Sequence, residues 1–303
     1  MCGICGIIGE PSKYLIKLMC DSLFHRGPDS EGYYIDDKVG LGVRRLRIID
    51  LKTGDQPIHN EDETVWIVFN GEIYNFLELK NELKTKHKFY TNTDTEVLVH
   101  LWEEYKENML EKIKGMFAFA IYDLNEKKVF IARDRFGEKP LYYCFLNGNF
   151  IFASELRAII KCLEKFEINP NALASYLAFF YNHLDESFIK GVFRLKPASY
   201  ISFSIKDKKV SFNTYWDLKE YDDNIDIEDA LKILDSQLKE IVKKTLISDV
   251  PLGVLLSGGV DSSVIATLAS RNSKLKTLHV TSEEEEVKYA EEVANIIKSD
   301  HKT

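Results

Sequence analysis

No apolar run in this 303-residue chain reaches the roughly 18–20 residues that a membrane-crossing helix needs. The longest, 116–122 and 250–256, have the length of buried strands. A basic stripe is missing too: 40 Lys and Arg against 48 Asp and Glu leave a net charge of −8, so no nucleic-acid partner is expected. The opening residues, Met1-Cys2-Gly3-Ile4-Cys5-Gly6, carry neither a basic stretch ahead of the apolar residues nor a small-residue cleavage site after them, so they are not expected to be a signal peptide. Cysteine is scarce and odd in number, five in all, and that fits a reducing cytosol better than a disulfide framework. A soluble, cytoplasmic protein with no membrane partner is the expectation. Internal repeats and low-complexity tracts are absent, and 45% hydrophobic with 12% aromatic residues excludes disorder and supplies apolar material for two cores.

Up to about residue 155, short β-branched or aromatic runs alternate with Gly, Asn, Asp and Pro. Runs 4–9, 65–69, 116–122, 128–132, 141–145 and 150–153 read as strands. Helices are expected over 13–24 and 76–87, and a third opens at Thr93-Asp94-Thr95-Glu96, a capping-box pattern. Strands interrupted by helices suggest an α+β sandwich. Asn169 as N-cap with Pro170 in the first turn predicts a helix over 172–180, and a β-hairpin pattern, 200–205 and 210–212, closes this half. The polar, acidic stretch 216–224 reads as a linker, which places domains at 1–215 and 225–303.

Beyond it, Leu231, Leu234, Leu238, Ile241 and Val242 form one stripe of a helix over 227–246. A strand at 253–256, a glycine turn, a helix from Ser262, a strand at 278–280 and a helix over 285–297 then give β-α-β-α, the opening of a doubly wound parallel sheet. Two strands leave a parallel sheet uncovered, so this α/β domain is expected to be partial.

Two constellations carry chemistry. If Met1 is trimmed, Cys2 joins a thiol, titrating near about 8.5, to an α-amine titrating near about 7.7–8.0, so the amine can take the thiol proton near neutral pH. A small second residue of no catalytic meaning is the other reading. Cys2-Gly3-Ile4-Cys5 also has C-x-x-C spacing, but no second pair or preceding βαβ unit supports a redox or metal role. Cys5, Cys20, Cys144 and Cys162 are read as small hydrophobes. The second constellation, Leu256-Ser257-Gly258-Gly259-Val260-Asp261-Ser262-Ser263, joins a strand to a helix. Such a loop turns backbone N–H groups and a helix N-terminus toward a phosphate. It is neither a Walker A loop nor a G-x-S-x-G elbow. Asp261 would repel phosphate unless a cation bridges them, which implies Mg2+. A plain turn with Ser262 as N-cap is the bland alternative.

Further motifs stand in order: His25-Arg26-Gly27-Pro28-Asp29; Arg44-Arg45-Leu46-Arg47-Ile48-Ile49-Asp50; Asn70-Gly71-Glu72-Ile73-Tyr74-Asn75; Gly115-Met116-Phe117-Ala118-Phe119-Ala120; the 133–143 segment beginning Arg133-Asp134-Arg135; Phe152-Ala153-Ser154-Glu155; and Asp249-Val250-Pro251-Leu252-Gly253 through Ser263. With Met1-Cys2-Gly3-Ile4, this series resembles the glutamine-dependent asparagine synthetase family along the whole chain.

The resemblance implies an α+β N-terminal-nucleophile hydrolase sandwich followed by a partial α/β doubly wound domain of the ATP-pyrophosphatase type. Cys2 would attack the glutamine amide, with Asn70 and the Gly71 N–H as oxyanion hole. Arg45 would hold the α-carboxylate and Asp94 the α-ammonium, while Ile48, Ile49 and Glu72 complete the glutamine site. Leu256 would lie near a nucleoside; Ser257, Gly258, Gly259, Asp261 and Ser262 would hold its phosphates, with Asp261 on the metal. ATP and Mg2+ are the implied cofactors, and glutamine, aspartate and ATP the small-molecule partners. Ammonia would pass through an internal channel to an aspartyl-adenylate, giving asparagine. Ordinary readings stand beside these roles: a hairpin turn for Asn70-Gly71, a solvated strand face for 44–47, a helix-dipole acid for Asp94. His25, His59, His100 and His183 are read as structural.

Val43 and Arg47 depart from residues common in the family, His and Ser, and are expected to shift glutamine affinity. The 280–286 segment lacks the usual glycine after its valine. The family continues well past residue 303, with a second phosphate motif and most of the aspartate pocket in that part. A partner chain supplying the rest of the synthetase domain is therefore one implied partner, and a homodimer another. A free-standing glutaminase, half of a split amidotransferase acting on another carboxylate, and a non-catalytic remnant stay open as alternatives.

Overall fold

The computed structural model describes residues 1–218, 225–281 and 284–303, without the side chains of residues 284 and 285. Most of the expected linker, 219–224, and the middle of the 280–286 segment lie outside the described residues. The chain forms two compact units, Met1–Leu218 and Lys219–Thr303.

In the first unit the elements begin β1 (Gly3–Ile8), α1 (Lys13–Ser22), β2 (Ser30–Ile35), β3 (Val39–Arg45), β4 (Ile58–His59), β5 (Val65–Ile73), α2 (Phe76–Leu83) and α3 (Asp94–Tyr105). They continue α4 (Met109–Lys112), β6 (Gly115–Asp123), β7 (Lys128–Arg133), β8 (Tyr142–Leu146), β9 (Asn149–Ala153), α5 (Leu156–Ile160), α6 (Pro170–Phe179), β10 (Val192–Arg194), β11 (Ser199–Ser204) and β12 (Lys209–Thr214). The strands form two antiparallel six-stranded sheets, β10-β8-β9-β1-β3-β2 and β12-β11-β7-β6-β5-β4.

Period-2 alternation decides the layers. Ile4 and Ile8 of β1, Ala118 and Ala120 of β6 and Phe150 and Phe152 of β9 meet in a core with residues of both sheets. Their neighbours Cys5, Ile7, Ile151 and Ala153 face the opposite way, packing with Ile16, Met19 and Cys20 of α1 and Ile159 of α5. Helix α3 packs on β5. Strands covered on both faces read as continuous apolar runs, which is why the sequence shows them so plainly.

Elsewhere the expectations need correction. In β3 the valines are interrupted by glycines, and β2 opens on Ser-Glu-Gly, so neither shows a continuous apolar run and neither was expected; Arg45 at the end of β3 is buried, not part of a solvated face. Strand β5 runs on to Ile73, so Asn70-Gly71 is inside a strand, with Gly71 opposite Phe117, and is no hairpin turn. A Cβ on Gly71 would stand 2.8 Å from the Phe117 Cα; the neighbouring strand leaves room only for glycine. At α3, Thr93 caps Thr95 N–H at 3.3 Å, but Glu96 reaches past the cap to the N–H groups of Tyr90 at 2.8 Å and Thr91 at 2.7 Å, so the capping box is not formed as expected. Helix α2 stops at Leu83 because its carbonyl closes a turn with the N–H groups of Lys86 and His87.

The second unit runs α7 (Ile227–Thr245), β13 (Gly253–Leu255), α8 (Val260–Ser270), β14 (Lys276–Leu278), α9 (Glu284–Ile297) and β15 (Asp300–Lys302). Its strands are parallel in the order β13-β14-β15, one strand more than expected, because Asp300-His301-Lys302 carries no strand signal. Val254 packs against Leu238 and Val242 of α7 and against Leu256, Ala266 and Ala290. Leu255, on the other face, is 73% exposed, contrary to a strand buried on both sides. Helix α8 starts at Val260 with Gly259 as N-cap, so Ser262 lies in its first turn and is not the cap. Among the described residues no helix is long and apolar enough to cross a membrane.

Trp102 of α3 is fully buried. It stacks on Phe130 at 4.8 Å between centroids, and its indole N–H donates to Asp123 Oδ2 at 2.8 Å. Trp102→Ala should therefore lower unfolding stability by about 3–5 kcal/mol, read from a urea transition; a loss under about 1 kcal/mol would show that this layer does not hold the fold.

Candidate functional site

Strand β1 is paired on both edges, with β3 and with β9, and Cys2 sits just before it. Arg26 Nε donates to the Cys2 carbonyl at 2.9 Å, while Glu155 accepts from Arg26 Nη1 at 3.0 Å and lies 2.9 Å from His25 Nε2. Motifs 25–29 and 152–155, distant in sequence, thus converge on residue 2. From the 44–50 motif, the Leu46 N–H donates to Cys2 Sγ at 3.4 Å. Burial pushes the thiol up from its ordinary value, partly offset by that N–H, the chain's amino group and Arg45. The amino group is itself pushed down, mainly by burial.

A small cleft opens over Cys2, lined by Arg45, Ile48, Ile49, Gly71, Glu72 and Asp94. Every glutamine-site residue expected from the sequence except Asn70 is in that lining. Met1, Leu46, Gln56, Phe69 and Thr95 also line it and were not expected. Gln56 spans two elements, accepting from Phe69 N–H at 2.7 Å and standing 3.5 Å from Thr95 Oγ1; only this long-range bonding marks it. Asn70, one residue before Gly71, is fully buried, and neither its Nδ2 nor its Oδ1 has a hydrogen-bond partner.

Two acidic residues share the cleft. Asp94 Oδ2 accepts from Ile73 N–H at 2.9 Å and Oδ1 from Thr93 Oγ1 at 3.1 Å, yet burial still raises its carboxyl above the ordinary range. Glu72 is raised as well, by burial first and by the charge of Asp94 second, with Lys139 and the amino group opposing. Lys139 is in turn pushed down by burial.

The Arg45 guanidinium is already engaged: Nη1 donates to Asp55 Oδ1 at 2.8 Å, and Nη2 to the carbonyls of Ile49 at 2.9 Å and Asp50 at 2.8 Å. Those bonds leave two of its five N–H groups uncommitted. Arg47 grips Asp55 through both carboxylate oxygens, at 3.2 and 2.8 Å. Burial opposes ionisation of Asp55, but Arg47, Arg45 and Ser30 outweigh it and hold the carboxyl at about 2. Val43 faces the core between the sheets, and neither it nor Arg47 lines the cleft.

In the second unit the Gly-rich loop is tied by its serines. Ser257 Oγ and Ser262 Oγ are 2.9 Å apart, and the Gly259 N–H donates to Ser257 Oγ at 3.3 Å. No side chain caps α8, which leaves its N-terminus to an anion, and Asp261 is exposed beside it; this donor set suits a Mg-bound triphosphate. Gly258 has φ +80°, and a Cβ there would stand 2.6 Å from Tyr289 Cβ. Leu256 is fully buried among Ala266, Ala290 and Ala294, so a nucleoside beside it would meet its backbone.

Residues 1–216 match the sequence model of the glutamine amidotransferase domain, and residues 234–303 that of asparagine synthase. Asparagine synthetase [glutamine-hydrolyzing] 1 of Bacillus subtilis is 39% identical over 307 residues, 97% of this chain and 48% of that protein. The asparagine synthetase [glutamine-hydrolyzing] of Zea mays is 37% identical over 278 residues, 90% of this chain and 42% of that protein. The chain spans about half the length of the curated relatives it matches. A solved glutamine phosphoribosylpyrophosphate amidotransferase from B. subtilis aligns with a TM-score of 0.51 at 17% identity, over 99% of this chain and 65% of that one, a likeness of fold. The chain belongs to the glutamine amidotransferase domain family, carried in one polypeptide with an asparagine synthase segment.

Proposed function

We propose that the first unit hydrolyses the side-chain amide of glutamine and that the released ammonia serves, in the second unit, the amidation of aspartate. Asn70 carries this reading. A buried amide with both polar atoms unpartnered costs about 1–3 kcal/mol, a cost that makes sense where the donor is reserved for charge that appears only during reaction.

Glutamine enters with its α-ammonium against Asp94 and Glu72 and its α-carboxylate on the uncommitted N–H groups of Arg45. Trimming of Met1 frees the Cys2 amine, which takes the thiol proton. Sγ then attacks the amide carbon, and the oxyanion is met by the Asn70 side chain and the Gly71 N–H. Collapse breaks the C–N bond, the proton returns to the leaving ammonia, and water opens the thioester to give glutamate. In the second unit, Ser257, Gly258, Gly259 and Ser262 would hold the ATP phosphates and Asp261 the Mg2+. Bound Mg-ATP supplies the adenylyl group that activates the aspartate carboxyl. The synthase match over 234–303 supports this half.

Three outcomes test the reading. Purified chain given glutamine, aspartate and Mg-ATP should release glutamate, with asparagine read separately; glutamate alone would confine the activity to the first unit, and neither product from folded chain would overturn it. Cys2→Ala should abolish glutamate release, and Asn70→Ala should cut kcat about 10²–10³-fold with little change in KM. An unchanged kcat in Asn70→Ala would remove the oxyanion role.

The carboxyl pair sets a pH signature. Glu72, raised from 4.5 to about 8, binds its proton more tightly folded than unfolded, so its stabilising contribution is full below 4.5 and is lost as pH rises through about 8. Urea midpoints of the ligand-free chain should fall across that window, and Glu72→Gln should flatten the fall. Glutamine's ammonium favours the ionised carboxyls, so binding should release protons near neutrality, seen by calorimetry in buffers of different ionisation heat.

A further inference from the structure

The histidines read as structural include one that is not simply packed. His100 of α3 is fully buried; its Nδ1 lies 2.8 Å from Glu103 Oε2, one helical turn on, and 3.7 Å from Glu61 Oε2 in the loop after β4. His87, in the loop after α2, stacks on His100 at 4.5 Å between centroids. Its Nδ1 lies 3.4 Å from Glu103 Oε2 and 3.8 Å from Glu61 Oε1. One ligand atom from each of these four residues lies within 4.8 Å of every other. Ligands about 2.0–2.2 Å from a tetrahedral zinc stand about 3.3–3.6 Å from each other; the contacts found, from 2.8 to 3.8 Å, bracket that spacing, so small side-chain shifts would bring the four atoms onto one ion.

The surroundings carry the inference further. A metal-binding imidazole commonly gives its second nitrogen to a carboxylate. His87 Nε2 meets this with Glu104 Oε1 at 3.1 Å; His100 Nε2, with Glu96 Oε1 at 3.7 Å, has no hydrogen-bond partner. The ligand carboxylates are held as well: Asn60 Nδ2 donates to Glu103 Oε1 at 2.8 Å, and the Lys88 N–H to Glu61 Oε1 at 2.6 Å. We infer that Glu61, His87, His100 and Glu103 form a divalent transition-metal site, suited by its two nitrogens and two oxygens to Zn2+. No thiol takes part, and the site is separate from the cleft at Cys2. The ion would be structural, with every position filled by protein. It would clamp the loops at 61 and 87 to α3, the helix whose first residue is Asp94, and so hold the far end of the cleft.

Chelator-stripped full chain titrated with Zn2+ should bind one equivalent tightly, with a rise in Tm. Co2+ should give a tetrahedral d–d spectrum without thiolate charge transfer. Glu61→Gln and His87→Gln replace incompletely buried residues and should fold; each should weaken binding by about 10–100-fold or more, while Cys2→Ser should retain it. Absence of stoichiometric Zn2+ binding, retention of full affinity in both ligand variants, or loss in Cys2→Ser would each overturn the assignment, the first leaving a cluster of imidazole–carboxylate hydrogen bonds alone.

Discussion

The cleft depends on one strand being paired on both sides. Because β1 is locked between β3 and β9, the residue ahead of it has no freedom of position, and Arg26, itself held by Glu155, fastens the Cys2 carbonyl. A nucleophile near a chain terminus would ordinarily fray. Here the terminus is an extension of a central strand whose side chains serve two cores in alternation. The motifs at 25–29, 44–50 and 152–155 are adjacent in space for that reason: Arg26 and Leu46 each bond an atom of residue 2, and Glu155 holds Arg26 in place.

Around that fixed point the protein tolerates electrostatic conditions that weaken the fold by themselves. Glu72 and Asp94 are crowded into a desolvated cleft, and Asn70 is buried without a partner. Arg45, by contrast, is largely committed to Asp55 and two carbonyls, so it is rigidly aimed but has few donors to spare. Such a combination, an unmet need for a cation and an unmet donor flanking a thiol, suits a zwitterionic substrate whose amide becomes an oxyanion.

The two units differ in how completely their strands are covered. In the first, sheets and helices bury both faces of β1, β6 and β9. In the second, α8 and its neighbours cover one face through Val254, and Leu255 points away from them into solvent. An apolar run announces that a strand can be buried and is silent on which faces are covered, so Leu255 and Val254 look alike in sequence.

By itself the sequence determined the doubly covered strands, the helix caps at Asn169 and Thr93, and the order of motifs from which Cys2, Asn70, Gly71, Arg45, Glu72 and Asp94 could be named as candidates. These are local properties: periodicity, turn chemistry and residue type act within a few positions along the chain. Tertiary structure alone decided what depends on pairing across the chain. It set β2 and β3, built without continuous apolar runs and held by their neighbours. It put Asn70-Gly71 inside a strand and drew Gln56 into the cleft. It also joined Glu61, His87 and His100, whose ligand atoms meet because a loop and a helix fold back on each other, a contact that no spacing in the sequence encodes.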